Sequence, residues 1–330
     1  MDYNFVKNLL SDRKNIVITT HKTPDGDALG SSLALFHALE NDHNIKVIVP
    51  NEYPHYLKWL PGNKKVIIYD KNKHQSDEII RKADVLFFLD FNKLYRTEDM
   101  AEVLNNSDAC KIMIDHHQDP DNFCNQILSD SSIASTAELM YDFFTNLNLS
   151  LKKDIAICLY TGIITDTGSL RYSGVTKKTH EIVSALMNYD INHSDIHLQL
   201  FDQQNKSRID LLRICLNNLQ LFDSQHAALM FLEEKDLLDC NYQKGDTEGF
   251  VNMPLSLHNI NFSAFFIEFK DGVKMSFRSQ NDFDVNLFAK KYFNGGGHKN
   301  ASGGLLKNKK MSEVVNYFKI VLDEFLRDSK

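Results

Sequence analysis

The chain has 330 residues, 43% of them hydrophobic and 25% charged, with a formal net charge of −7. That length suits two domains, and the composition is that of a globular soluble protein, not a disordered or fibrous one. A protein that grips long nucleic acid presents a basic face, because counterion release supplies most nonspecific affinity. This acidic chain matches short or single nucleotides better, and it excludes long duplex nucleic acid as a partner.

No apolar run approaches the length of a membrane span, and Met1 to Leu10 is amphipathic, without the apolar core of a signal peptide. The five cysteines, Cys110, Cys124, Cys158, Cys215 and Cys240, form no Cys-x-x-Cys pair. They read as reduced thiols, so the expected location is cytoplasmic, with no membrane partner.

In chain order, an opening helix precedes a strand from Ile16 to Thr20, a helix from Ala28 to Glu40, and strands at Lys46 to Val49 and Val66 to Tyr69. A helix around Asp77 to Lys82 follows, then strands at Asp84 to Asp90 and Cys110 to Asp115. Ser135-Thr136-Ala137-Glu138 has the form of a capping box for a helix running to about Asn146. Two more helices are expected at Leu151 to Ile164 and Lys177 to Tyr189, and the helical spacing of residues 192–219 predicts a linker helix. Beyond it, strands Ala227 to Leu232, Phe262 to Phe269 and Val273 to Ser279 alternate with helices Asn286 to Phe293 and Met311 to Leu326.

The pattern predicts an α/β protein: a catalytic domain over 1–190 with a mainly parallel sheet and helices on both faces, a linker helix over 191–219, and a smaller C-terminal α/β domain over 220–330.

Acid-and-histidine clusters recur down the first half: His21, Asp25 and Asp27 in His-Lys-Thr-Pro-Asp-Gly-Asp, then Asp90, then Asp115-His116-His117, then Asp166. The first three end runs that read as buried strands, and open α/β sheets bind ligands at the carboxyl ends of their strands. Singly each cluster is weak. Asp27 alone reads as a helix N-cap and Pro-Asp-Gly as a turn. Jointly they describe a two-metal site. Carboxylate oxygen and imidazole nitrogen without thiolate suit Mn²⁺, with Mg²⁺ or Fe²⁺ second, and exclude cysteine-held zinc. Two divalent ions bring +4, and Asp25, Asp27, Asp90 and Asp166 bring −4. A neutral core needs further positive donors to hold phosphate. The expected place for them is the C-terminal half, where Arg278 precedes the segment Gly295-Gly296-Gly297-His298-Lys299-Asn300-Ala301-Ser302-Gly303-Gly304. Glycine-rich turns let backbone N–H groups converge on an anion, and a guanidinium forks onto phosphate oxygens.

The motifs His-Lys-Thr-Pro-Asp-Gly-Asp-Ala-Leu-Gly-Ser, Ile-Asp-His-His, Thr-Asp-Thr-Gly-Ser-Leu-Arg-Tyr and Gly-Gly-Gly-His-Lys-Asn-Ala-Ser-Gly-Gly resemble the DHH phosphoesterases with a DHH-associated C-terminal domain, nearest the NrnA-type nanoRNase and pAp phosphatase group. The resemblance covers nearly the whole chain. It implies one metal on His21, Asp25 and Asp90 and another on Asp27, Asp90, His116 and Asp166, with Asp90 bridging. It further implies that His117 touches phosphate or orients a ligand, that Asp115 fixes an imidazole tautomer, and that Arg278, Gly296, Gly297, His298, Asn300 and Ser302 bind substrate. The active site is expected in the cleft between the domains. The second motif departs mildly, with Phe91 where a small hydroxyl residue is commoner.

The implied activity is manganese-dependent hydrolysis of short RNA, linear dinucleotides and 3′-phosphoadenosine 5′-phosphate (pAp). Cyclic dinucleotides, inorganic polyphosphate and a non-catalytic nucleotide sensor are the alternatives, and a homodimer stays open.

Overall fold

In a computed structural model, residues 1–280 and 282–328 are described, and the chain divides into two compact units, Met1–Gln203 and Gln204–Lys330. The first contains α1 (Tyr3–Leu9), β1 (Asn15–Thr20), α2 (Gly26–Leu39), β2 (Asn44–Val49), β3 (Val66–Ile68), α3 (Lys73–Arg81) and β4 (Val85–Leu89). It continues with α4 (Ala101–Asn105), β5 (Cys110–Asp115), β6 (Gln126–Ser129), α5 (Thr136–Leu147), α6 (Lys153–Asp166), α7 (Lys177–Met187) and α8 (His193–His197).

Six parallel strands form one sheet in the order β3-β2-β1-β4-β5-β6. The central strands read as unbroken apolar runs because both faces are covered. Ile16, Ile18, Phe87 and Leu89 enter one core while Val17, Leu86 and Phe88 enter the other. From β1 the chain proceeds to β2 and β3 on one side, then returns to β4, β5 and β6 on the other. The order therefore reverses between β1 and β4, which places a crevice beyond their carboxyl ends. His21 follows β1 and Asp90 follows β4, while Asp115 closes β5.

Helices α2 and α6 meet along a glycine seam. A Cβ on Gly30 would lie 2.5 Å from the Cys158 carbonyl oxygen, and one on Gly162 would lie 2.8 Å from the Asp27 carboxylate. Only glycine lets the two helices come this close.

The second unit contains α9 (Lys206–Asn217), β7 (Gln220–Phe222), β8 (Ala227–Leu232), α10 (Glu234–Asp239), β9 (Phe262–Phe269), β10 (Gly272–Ser279), α11 (Val285–Tyr292), β11 (Gly296–His298), β12 (Ala301–Lys307) and α12 (Met311–Asp328). Its sheet runs β11-β12-β10-β9-β8-β7, with β8 and β9 parallel and the other pairs antiparallel. Phe262, Phe266, Phe277, Phe288, Phe293 and Phe318 fill its main core.

Three expectations change. The linker helix over 192–219 is interrupted: α8 passes into a π-helical turn at Leu198–Asp202, and α9 starts only after an extended Asn205. The polar stretch Gln203-Gln204-Asn205 offers no apolar stripe to carry a helix across. The two parts serve different cores, Ile196 and Leu200 packing in the first unit and Leu211 and Cys215 in the second. The glycine-rich segment is not an open turn but the hairpin β11–β12, paired Gly296 to Gly303 and His298 to Ala301. Finally, Ser135 accepts from the Glu138 amide at 3.3 Å, yet the Glu138 carboxylate accepts from the Thr179 hydroxyl at 3.0 Å. Glu138 is thus tied to α7 and the capping box is one-sided.

We expect Gly30→Ala to lower the unfolding free energy by about 1–3 kcal/mol through overpacking against a backbone oxygen. Urea denaturation measures this, and an unchanged midpoint would mean that α2 and α6 separate without cost.

Candidate metal centre

His21 leaves β1 with its Nδ1 2.8 Å from the Lys22 carbonyl oxygen. A carbonyl only accepts, so Nδ1 carries the hydrogen and Nε2 keeps its lone pair. That Nε2 lies 3.4 Å from an Asp90 oxygen and 3.8 Å from an Asp25 oxygen. The loop itself is held in an unusual shape. Thr23 has φ 58°, left-handed and unfavourable for a β-branched residue, and its amide donates to the Asn51 side-chain oxygen at 2.7 Å.

Asp25, not Asp27, caps α2: its Oδ1 accepts the amides of Asp27 at 3.1 Å and Ala28 at 3.0 Å. The helix starts at Gly26, two residues before the expected Ala28, so Asp27 lies inside its first turn and is 1% exposed. The Asp27 carboxylate accepts the Thr136 amide at 2.6 Å and the Ala137 amide at 2.8 Å. Those amides belong to the exposed-donor end of α5, where N–H groups lack intrahelical partners and favour negative charge.

Asp90 sits at φ 65° immediately after β4 and is 2% exposed. Its amide donates to the Ile114 carbonyl at 3.0 Å, and its Oδ1 accepts the Thr136 hydroxyl at 2.9 Å. His116 repeats the His21 arrangement: Nδ1 is 3.2 Å from the Ile133 carbonyl, and Nε2 lies 3.6 Å from Asp90 and 3.4 Å from Asp166. His117 places Nδ1 2.7 Å from an oxygen of fully buried Asp115, whose other oxygen accepts the His117 amide at 3.0 Å. Asp166 is the last residue of α6, after which Gly168, Ser169 and Leu170 turn the chain through the left-handed region at φ 56°, 62° and 63°.

Two triads result. The donor atoms of His21, Asp25 and Asp90 all lie within 4.8 Å of one another, and so do those of Asp27, Asp90 and His116. Asp90 belongs to both.

Burial, then the charges of Asp90 and Asp166, push the Asp27 carboxyl well above the usual carboxylate range, with His116 opposing. Burial would raise Asp90 too, but the His21 hydrogen bond and the charges of His117 and His116 outweigh it and hold Asp90 below that range. The donor set fits hard-to-borderline divalent cations: clustered carboxylate and imidazole, no thiolate, and buried negative charge that a cation would compensate.

In the second unit, Arg278 on β10 and His298 on β11 each face Ala301 of the intervening β12 in register, so the two share one face of the sheet. Asn300 donates to the Ser279 hydroxyl at 3.0 Å. Ser302 is 6% exposed, and its hydroxyl donates to the Val285 carbonyl at 2.6 Å, which makes it part of the packing. Gly297, at φ 152°, donates its amide to the Asn286 side-chain oxygen at 3.0 Å. The hairpin thus uses that amide internally.

Residues 15–163 match the DHH family N-terminal domain, and residues 228–328 match the DHHA1 domain. A probable bifunctional oligoribonuclease and PAP phosphatase NrnA from Streptococcus mutans is 30% identical over 87% of this chain and 88% of its own length. The chain belongs to the DHH family. Its DHH relatives include the bifunctional oligoribonuclease and PAP phosphatase NrnA of Bacillus subtilis, 26% identical over 87% of this chain and 88% of that protein. Among solved structures, an exopolyphosphatase-related protein from Bacteroides fragilis superposes with a TM-score of 0.93 at 38% identity, covering 98% of this chain and 96% of the other.

Sequence reasoning misses Thr136, the start of α5 and Gly162 in the DHH domain. The Ser-Thr-Ala-Glu string gives the only signal, and it points to a helix cap without showing that the capped end meets Asp27.

The protonation pattern predicts how the metal-free DHH domain responds to pH. Burial would lower His21 and His116, but Asp90 and Asp25 for the first, and Asp90 and Asp27 for the second, raise both above 6.5. A base whose folded value is raised contributes stability that is complete below its unfolded value and is lost as pH rises through the folded one. Raised Asp27 acts in the same direction. The Tm of the chelated protein should therefore fall as pH rises past about 6.5, and saturating Mn²⁺ should reverse that trend because ligation requires deprotonated donors. A flat Tm in chelator would contradict this reading.

Proposed function

We propose that this DHH-family phosphoric ester hydrolase cleaves short linear oligoribonucleotides and pAp at a two-metal centre loaded with Mn²⁺, in the cytoplasm. The observation that carries the reading is the shared Asp90 carboxylate, which stands within donor reach of two separate sets of ligand atoms. The Streptococcus and Bacillus relatives, oligoribonucleases and PAP phosphatases by name, support the substrate class. Among the described residues no helix is long and apolar enough to cross a membrane.

His21, Asp25 and Asp90 would hold one ion, and Asp27, Asp90, His116 and Asp166 the other. When bound, such ions supply Lewis acidity toward water and phosphoryl oxygen. The residues of the chain do the rest. The Lys22 and Ile133 carbonyls fix His21 and His116 in the tautomer whose Nε2 is the donor atom. Thr136 orients Asp90 through its hydroxyl. Asp115 holds the Nδ1 hydrogen of His117, which leaves His117 to meet the phosphate through its other nitrogen. We assign recognition of the remaining nucleotide to Arg278 and His298 in the second unit, with Asn300 and the backbone of Gly296 beside them.

Polyphosphate is the second reading, favoured by the likeness to the exopolyphosphatase-related protein from Bacteroides fragilis. A non-catalytic sensor fits less well, since such a protein has no need to keep every donor of both sets.

Asp90→Ala should leave the fold intact and cut the rate on pAp by at least about 10²-fold. Metal content and turnover of the purified variant check this, and two retained ions with a near wild-type rate would remove Asp90 from the centre.

Substrate length gives a second check. A net charge of −7 disfavours long phosphate contacts, so kcat/KM at fixed salt and Mn²⁺ should be highest for RNA of roughly two to five residues. Efficiency that holds or rises up to a 24-mer would argue for a processive nuclease. Rapid polyphosphate cleavage without turnover of any linear nucleotide would select the second reading.

A further inference from the structure

The neutral charge balance of the metal centre demands a positive group for a multiply charged phosphate, and the first unit itself holds a candidate. Residues 94–100 form a short 3₁₀ segment after β4 that lies against the His21 loop, the Arg96 carbonyl accepting the Lys22 amide at 2.8 Å. Thr97 is fully buried and donates to the Leu94 carbonyl at 2.7 Å. Glu98 is held at φ 47° and ψ −117°, a costly conformation for a residue with a side chain. The segment is therefore rigid, and strain is retained beside the site.

Three cations sit along this edge, and two are neutralised. Lys22 pairs with Glu98, and Lys93 lies 3.6 Å from Asp121. Arg96 is half-buried, and among the described residues no carboxylate pairs with its guanidinium. Its backbone is tied through its carbonyl to Lys22, the residue that follows His21. An uncompensated guanidinium held on a rigid platform next to a proposed metal ligand has the chemistry to fork onto two phosphate oxygens.

We propose that Arg96 is a substrate-contacting residue that grips the phosphoryl group under attack from the His21 side of the centre. This rests on the phosphoesterase reading given above and adds to it a positive donor within the DHH domain.

The test compares wild type with Arg96→Ala and Arg96→Lys. Three quantities are measured: kcat/KM for pAp and for a 5′-phosphorylated diadenylate, the calorimetric Kd for inorganic phosphate at saturating Mn²⁺, and the Kd for Mn²⁺ itself. Arg96→Ala should lose about 10- to 100-fold in kcat/KM and about 10-fold in phosphate affinity, with Mn²⁺ binding and Tm unchanged. Arg96→Lys keeps the charge but not the fork, and should recover part of both losses. Wild-type phosphate affinity and turnover in Arg96→Ala would overturn the proposal. A loss of Mn²⁺ affinity that accounts for the whole rate change would also overturn it, since Arg96 would then act by bracing the His21 loop. If Arg96→Ala does not fold, Arg96→Lys decides alone: unchanged phosphate affinity and kcat/KM would overturn the assignment. A wild-type protein that binds phosphate through Arg96 but turns over no phosphate ester would refute the proposed function and leave the contact standing.

Discussion

A carboxylate at Asp90 is buried to 2% exposure where three chain segments converge, and negative charge in such a place costs several kcal/mol unless something compensates it. Much of the first unit answers that requirement. The reversal of strand order between β1 and β4 brings His21 to one side of Asp90, and the end of β5 brings His116 and His117 to the other. The Thr136 hydroxyl takes one carboxylate oxygen. A second buried acid, Asp27, is met by the first amides of α5. Imidazoles, a hydroxyl and a helix end hold the acids in place without neutralising them fully, and the remaining negative charge is one that a bound cation would compensate.

Strands with an unbroken apolar run are legible in the sequence because burial on both faces leaves one hydropathy signature. β5, β8 and β9 match their expected limits to the residue, and the acids and imidazoles that follow β1, β4 and β5 stand out against that pattern. Short or half-exposed strands do not. β6 and β7 have three or four residues without a fully buried position, so neither periodicity nor length marks them. Thr136 and Ala137 contribute through backbone amides and a hydroxyl whose partners lie more than a hundred residues away for Asp27, which no local spacing records. Arg96 escapes for a similar reason: its relation to His21 arises from strand order, not from any motif.

The glycine-rich segment shows the opposite failure, in which a familiar composition suggests too open a conformation. Its glycines serve close strand pairing, since a Cβ on Gly297 would lie 2.4 Å from the Ala301 carbonyl oxygen. The pairing in turn presents Arg278 and His298 on one face, separated by the small side chain of Ala301. Side chains, more than a cradle of amides, are what this hairpin offers to a ligand.

The glycine seam between α2 and α6 fixes the spacing that any ion at the acid cluster would meet. Gly30 packs on a backbone carbonyl, and Gly162 lies beneath the Asp27 carboxylate and beside Ala137 of α5, so three helices are in van der Waals contact around one acid. Asp27 rides on α2 and Asp166 ends α6, and their separation is set by that contact instead of by adjustable loops. Calcium prefers oxygen ligands at about 2.3–2.6 Å in loose shells of six to eight, whereas magnesium-sized ions sit at about 2.0–2.1 Å. A scaffold this stiff has little room to swell, so two missing methyl groups would make ionic radius the property by which any cation held between Asp27 and Asp166 is sorted.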